Sequence, residues 1–231
     1  MQRYFSKEKK DNTFILSNED LYHIKTVMRM KEDFIEVVYN NSLYLCKLDK
    51  DYNVNIEKKI EQINNKKVKF ILCIPLLQEQ KMSFVLQKAT ELGVDYIVPF
   101  YAVRSKVKLD LKEDKKIIRW NKIVKEASEQ SKRLDIPIIS NVKKISELNF
   151  EGLKILCSTK EKINNIKNEI KNNLNYDTIV MVIGPEGGLS DLEEEQLNKI
   201  GFKSVSLGEQ ILRVETVPIY LLSILNYELM E

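Results

Sequence analysis

Ile183-Gly184-Pro185-Glu186-Gly187-Gly188 and, farther on, Leu207-Gly208-Glu209-Gln210-Ile211-Leu212-Arg213-Val214-Glu215-Thr216 are the stretches whose reading decides the fold. Each follows an apolar, β-branched run, Thr178 to Ile183 and Ser204 to Leu207, that reads as a buried parallel strand. Each precedes a segment that reads as a helix. The chain has seven glycines, and four of them stand in these two loops. Glycine costs backbone entropy, so a cluster marks backbone brought close to something. In an α/β sheet that place is the crevice at the carboxyl ends of the strands.

The loop chemistry argues against a phosphate. A P-loop needs a Gly-Lys-Ser/Thr ending and a dinucleotide fold needs G-x-G-x-x-G. Here the loop is Gly-Pro-Glu-Gly-Gly with no lysine; Pro185 removes one N–H and Glu186 would repel the anion. Adenosine carrying a cationic sulfonium suits both the bare backbone and the carboxylate. Two ordinary strand-to-helix turns are the alternative.

These residues resemble the closing signature of the RsmE family of ribosomal RNA uridine-N3 methyltransferases, in the SPOUT superfamily. Upstream, Lys81-Met82 with Gln87-Lys88-Ala89-Thr90-Glu91-Leu92-Gly93-Val94 resembles the family's first core helix, and Arg104-Ser105 its basic loop. Trp120, Glu126-Ala127, Glu129-Gln130-Ser131, Arg133 and Ile136-Pro137 resemble its long middle helix and exit, and Arg3-Tyr4-Phe5, His23 and Val27-Met28-Arg29 match more loosely. Gln210 stands where the family usually carries arginine; Val214, Val217 and Pro218 replace small residues, and Asn40-Asn41 replaces an Asp-Gly turn.

The resemblance implies an S-adenosylmethionine-dependent methyltransferase acting on N3 of a uridine in 16S ribosomal RNA, free or in the small subunit. It implies an α/β fold: a SPOUT-type parallel sheet with a C-terminal trefoil knot over 67–231, and a small PUA-like β-barrel RNA-binding domain over 1–66. A homodimer goes with it. It implies a cofactor pocket of Gly184, Glu186, Gly187, Leu207, Gly208, Ile211 and Leu212, with Ile183 ahead of it and with Leu156 and Cys157 at the end of the preceding strand. Other SPOUT enzymes acting on tRNA or another nucleotide, and a non-catalytic RNA-binding assembly factor, remain alternatives. A nucleotide-phosphate-binding α/β enzyme is a third.

Composition agrees. At 231 residues, 43% of them hydrophobic and 31% charged, the chain can build a core and cover it. No apolar run approaches the ~18 residues of a membrane span; the longest, Ile71 to Leu77, contains Pro75. Cys46, Cys73 and Cys157 are scattered and form no C-x-x-C, so no metal site or disulfide framework is expected. A reduced, cytoplasmic setting follows. A net charge of +3 says little about nucleic acid.

Residues 1 to 66 read as short strands with one helix. Ser17 and Asp20 resemble a capping box, with Leu21, Ile24, Val27 and Met28 as an apolar face. Phe34–Tyr39, Asn40-Asn41 and Leu43–Cys46 read as a hairpin, followed by a strand over Val54–Ile60; the boundary is placed near Asn64-Asn65-Lys66-Lys67. From Val68 strands and helices alternate, as in a parallel α/β sheet. Strands are expected over Val68–Ile74, Val94–Phe100, Leu153–Cys157, Thr178–Ile183 and Lys203–Leu207. Gly93 reads as a helix C-cap. The last helix, Glu215 to Met230, is apolar on nearly every side and must be buried by protein.

The implied reaction needs the uridine proton removed and the reacting atoms held in line. A guanidinium nearby would lower the nitrogen's pKa by roughly 1–3 units. Arg213 is the first candidate for that role, and Glu215 for orienting it or taking the proton; an ion pair supporting the loop is the equal alternative. Cys157 as a nucleophile is disfavoured, with no histidine near it in sequence. His23, the sole histidine, reads as a polar residue on the barrel or an RNA contact rather than a base. Arg104, Lys106 and Lys108 alternate as one face of an extended segment that would track phosphates. Arg3, Lys25, Arg29 and Arg133 would extend that RNA-binding track.

Overall fold

The computed structural model describes residues 1–61, 67–107, 113–173 and 175–229. The chain divides into two units, Met1–Asn65 with Ser128–Ile136, and Lys66–Ala127 with Pro137–Glu231. The Asn64-Asn65-Lys66 stretch of the expected boundary, Lys108 of the expected basic row and Met230 lie outside the described residues.

In the first unit, β1 (Arg3–Phe5), β2 (Glu8–Lys10), β3 (Thr13–Ile15), β4 (Phe34–Tyr39), β5 (Ser42–Leu48) and β6 (Val54–Ile60) form a sheet in the order β1-β4-β5-β6-β3-β2. Only the β1–β4 pairing is parallel. The β4–β5 hairpin forms where the alternation predicts it. Asn40 and Asn41 take φ of 47° and 55°, both positive as a two-residue hairpin turn of the primed type requires. A register shift between Leu45 and Cys46 helps the sheet curl. Tyr4, Phe14, Ile24, Ile35, Val37, Cys46, Leu48 and Val54 are buried in its core.

The short helix α1 (Asn18–Tyr22) starts as its cap predicts. The Asp20 N–H donates to Ser17 Oγ at 3.2 Å, and Ser17 Oγ donates to Asp20 Oδ2 at 2.7 Å. The apolar face behind it is only half realised. Ile24 is buried, but Val27 and Met28 are 59% and 38% exposed. The chain widens into a π-helical turn over His23–Val27, in which the Met28 N–H donates to the His23 carbonyl at 2.9 Å. The extra residue in that turn rotates Val27 and Met28 off the face an α-helical period assigns them.

In the second unit every strand pair is parallel. The strands are β7 (Lys69–Pro75), β8 (Tyr96–Phe100), β9 (Ile138–Ile139), β10 (Leu153–Cys157), β11 (Thr178–Ile183) and β12 (Lys203–Val205), in the order β12-β10-β11-β7-β8-β9. The central strands are apolar runs buried along nearly their whole length, as the strands of a parallel sheet are. The connecting helices are α2 (Glu79–Glu91), α3 (Glu113–Gln130), α4 (Ile166–Lys171), α5 (Asp191–Lys199) and α6 (Thr216–Glu228). Gly93, with φ of 85°, ends α2: its N–H donates to Thr90 and the Val94 N–H to Ala89, both at 3.0 Å.

The strand order sets the site. After β7 the chain leaves toward β8; after the neighbouring β11 it leaves the opposite way, toward β12. Adjacent strands whose connections diverge make the topological switch point where α/β sheets bind ligands. The last helix, α6, covers part of this unit. Leu221, Leu222 and Leu225 are buried, Ile219 and Ile224 half-buried, and Tyr227 is 76% exposed. Asn226 Nδ2 donates to the Leu92 carbonyl at 2.7 Å, fastening α6 to the end of α2. Among the described residues no helix is long and apolar enough to cross a membrane, and no cluster of His, Cys, Asp and Glu would hold a metal.

Candidate functional site

The loops after β10, β11 and β12 leave one edge of the sheet, because the three strands are parallel neighbours. With the first turn of α2 they enclose a cavity of ≈ 510 Å³. Its wall contains Cys157, Ile183, Gly184, Glu186, Gly187, Leu207, Gly208, Ile211, Leu212 and Arg213, all singled out from sequence. Leu156 is absent from the wall. One residue before Cys157 on β10, it points to the opposite face and is fully buried in the core.

The loop after β11 is a tight turn, closed by the Gly188 N–H donating to the Pro185 carbonyl at 2.8 Å. The close approach its glycines permit is mostly to protein. A Cβ on Gly184 would come 3.2 Å from the Leu189 backbone nitrogen. Gly208 has open space around it but a φ of 124°, so conformation demands it. Ser190 caps α5, accepting from the Glu193 N–H at 3.3 Å, while Glu193 Oε1 accepts from the Val103 N–H at 2.7 Å.

Three cations hold this loop. Lys81 Nζ, in the first turn of α2, donates to Glu186 Oε1 at 2.7 Å. That hydrogen bond holds the Glu186 carboxyl below its ordinary value and the Lys81 ammonium above its own. Arg104 Nη1 donates to the carbonyls of Gly187 at 3.0 Å and Leu189 at 3.4 Å. Lys160 Nζ donates to the Leu189 carbonyl at 3.4 Å and to Asp191 Oδ1 at 2.7 Å, and lies 3.3 Å from Glu194 Oε1. Lys160, with Ser158, Thr159 and Lys162, comes from the loop after β10. That loop carries no motif; only the rule that parallel strands deliver their loops to one edge would have found it. Burial pushes the Cys157 thiol up to about 12, which leaves it without thiolate character near neutral pH.

The structure does not pair Arg213 with Glu215. Arg213 is exposed at the cavity, and among the described residues its guanidinium makes no hydrogen bond or ion pair. Glu215 precedes α6 and turns toward Lys81, whose Nζ lies 3.6 Å from Glu215 Oε2. That oxygen is shielded from solvent and, among the described residues, has no hydrogen-bond partner within reach.

The expected basic track is redistributed. Arg104 does not begin an extended row, because Val103 and Arg104 form a turn with a bend at Lys106, and the guanidinium faces the cavity loop. Lys106 is exposed beside it. In the first unit Arg3 is 5% exposed. It pairs with Glu36 at 2.9 Å and donates to the carbonyls of Lys132 and Arg133, so Nε and Nη1 are engaged inside the protein. Arg133 is likewise bound to Asp135 at 2.8 Å, its side chain 10% exposed. Lys25 lies 4.5 Å over the Tyr52 ring and Arg29 is exposed, with φ of 52°. His23 is tied by its Nδ1 to the Tyr4 hydroxyl at 3.0 Å, as a packed polar residue.

The fold and the cavity place the chain in a known class: a family model described as RNA methyltransferase domain matches residues 64–226. A ribosomal RNA small subunit methyltransferase E from Mesomycoplasma hyopneumoniae is 40% identical over 96% of this chain and 98% of its own length. That of Bacillus subtilis is 34% identical over 99% and 97%. The structure of the Neisseria gonorrhoeae ribosomal RNA small subunit methyltransferase E bound to S-adenosyl methionine superposes with a TM-score of 0.88 at 25% identity, covering 99% of this chain and 98% of that one. A putative methyltransferase from Legionella pneumophila, with SAM as bound cofactor, gives 0.89 at 27% over 98% and 97%. The chain belongs to the ribosomal RNA small subunit methyltransferase E family.

Proposed function

We propose that this protein transfers the methyl group of S-adenosylmethionine to N3 of a uridine in the 16S RNA of the small ribosomal subunit. The observation that carries this is the cavity at the switch point. Both motif loops wall it, its Gly-Pro-Glu-Gly-Gly turn lacks a phosphate cradle, and the exposed guanidinium of Arg213 stands at its edge. The relatives named above as ribosomal RNA methyltransferases, one of them with this donor bound, and a SAM-bound putative methyltransferase of the same fold support the reaction class.

The residues fit the donor. Backbone groups of Gly184, Gly187, Gly208 and Ile211 would hold adenine and ribose, and Leu207 and Leu212 would pack on the base. Glu186 would face the positive sulfur. In the transfer a nitrogen–carbon bond forms, the carbon–sulfur bond breaks and the N3 proton leaves. Arg213 would stabilise the deprotonated ring; alignment supplies up to ~7–11 kcal/mol of the barrier.

The β-rich unit is read as a PUA-like RNA-binding domain, residues 1–66, with Lys25 and Arg29 among its exposed cations, and 67–231 as the methyltransferase domain. A trefoil knot is the reading of the last segment. It is supported by the Ser206 N–H donating to Asn164 at 2.7 Å and the Ile166 N–H to Ser206 at 3.1 Å, which lace the loop after β12 to the loop after β10. The exposed Tyr220 and Tyr227 beside half-buried Ile219 and Ile224 support reading α6 as the face of a homodimer. A cytoplasmic setting accompanies a ribosomal RNA substrate.

Calorimetric titration with S-adenosylhomocysteine tests the donor site, and mass-spectrometric mapping of ribosomal RNA from a deletion strain tests the product. Micromolar binding together with loss of one 3-methyluridine is expected. No binding at high micromolar would favour a non-catalytic assembly factor, and loss of a different modified nucleotide would move the activity to another base.

A further inference from the structure

Lys81 stands where the loops diverge. It belongs to the helix after β7, while Glu186 belongs to the loop after β11 and Glu215 to the segment after β12. Its ammonium donates to Glu186 Oε1 at 2.7 Å and stops 3.6 Å short of Glu215 Oε2. That distance is an ion pair just beyond hydrogen-bond reach, and among the described residues no donor comes within reach of the Glu215 oxygen, which is out of solvent. A shielded carboxylate oxygen without a donor is an arrangement that folded proteins avoid unless a partner arrives. An ammonium carries three donors on a flexible stem. Lys81 can therefore turn to Glu215 once Glu186 has another cation. Lys81 and Glu186 both line the cavity, and the donor proposed for it is positive at sulfur.

We propose that Lys81 is a positioning residue that stands in for the positive charge of the methyl donor: it occupies Glu186 until a cationic donor replaces it there, and then turns to Glu215 and fixes the segment that carries Arg213. This deepens the donor-site reading above and rests on it. The arrangement distinguishes donor from product. S-adenosylmethionine brings a charge to Glu186, whereas S-adenosylhomocysteine has a neutral sulfur and leaves Lys81 where it is. After transfer the return of Lys81 to Glu186 favours release of the product.

The test compares affinities for the two ligands, by calorimetry, in the wild-type chain and in Lys81→Met, Lys81→Arg and Glu186→Gln. Methionine keeps the aliphatic stem and removes only the charge, and thermal melting checks that each variant is folded. Lys81→Met is expected to raise the preference for S-adenosylmethionine over S-adenosylhomocysteine by roughly twofold to fivefold, the scale of a partly exposed charge pair. Glu186→Gln is expected to lower it, and Lys81→Arg to leave it near the wild-type value. Single-turnover methylation should fall in Lys81→Met and recover in Lys81→Arg. A preference unchanged in both Lys81→Met and Glu186→Gln, with both ligands weakened alike, overturns the proposal and leaves Lys81 as support for the loop. A wild-type chain that binds neither ligand overturns the donor-site reading and this one with it.

Discussion

Arg104 lies directly against Gly187. A Cβ placed on Gly187 would come 3.3 Å from the Arg104 Cβ, and Arg104 Nη1 donates to the Gly187 carbonyl at 3.0 Å. A side chain at this position would therefore crowd the arginine stem. Gly187→Ala should push the arginine stem aside and loosen its two carbonyl bonds. The expected cost is about 0.5–1.5 kcal/mol, or roughly threefold to tenfold in affinity for S-adenosylhomocysteine, with the thermal midpoint little changed. Gly184→Ala should cost more, because its neighbour at 3.2 Å is backbone and cannot swing away.

Arg104 and Lys106 are near each other in sequence but differ in role. Both are exposed, but Arg104 donates to carbonyls of the cavity loop, whereas Lys106 acts on Glu186 through its charge. Filter binding of ribosomal RNA across a salt series should show Lys106→Ala reducing the slope of log K against log salt by about 1. Arg104→Ala should weaken S-adenosylhomocysteine more than it changes that slope. Equal slopes in all three proteins would remove residues 104–106 from the RNA contact.

Arg213 is exposed at the cavity without a protein partner among the described residues. Arg213→Ala should slow single-turnover methylation by roughly 10- to 1000-fold, the equivalent of the 1–3 pKa units a nearby guanidinium confers. Binding of S-adenosylhomocysteine should be nearly preserved. Matched losses of rate and binding would reassign Arg213 to pocket support.

Glu36 links acidity to the stability of the β-rich unit. Burial alone would raise its carboxyl, but hydrogen bonds and charge from Arg3 and Lys132 outweigh burial and hold it below its ordinary 4.5. A carboxyl lowered in the folded state stabilises above its unfolded pKa, and that contribution disappears as pH falls through the folded value. Urea midpoints of the wild type should therefore decline from about pH 4.5 downward, and Glu36→Gln should be less stable at neutral pH with a flatter acid limb. Parallel acid limbs would show that the Arg3–Glu36 pair carries no such linkage.

Much of the fold was legible because its signals are local. The Asn40-Asn41 turn, the Ser17 cap, the Gly93 helix end and the apolar runs of β7, β10 and β11 each depend on residues a few positions apart. The signal failed where a local period was broken, as when the π-helical turn exposed Val27 and Met28. It also failed for two-residue β9, too short to carry a pattern, and for Leu156, whose side of the strand depends on the pleat.

Charge was the least legible property. Arg3 and Arg133 looked like RNA contacts, yet Arg3 is buried against Glu36 and the Lys132 and Arg133 carbonyls, and Arg133 is held by Asp135. Lys160 had no motif to mark it, and Lys81 stood only within a helix resemblance. A cation's role depends on what it faces, and its partner here is commonly far away in sequence, as Glu186 is from Lys81.

The sequence by itself determined that strands and helices alternate, where the glycine turns fall, and which chemistry those turns exclude. Backbone propensity and hydrophobic period act over a few residues, so they are written in the order of the chain. Only the tertiary structure decided that β11 lies between β10 and β7, that three loops therefore open on one cavity, and that Lys81 rather than Arg213 meets Glu215. Strand order and charge pairing arise from many weak contacts between distant segments, and no short window of residues contains both partners.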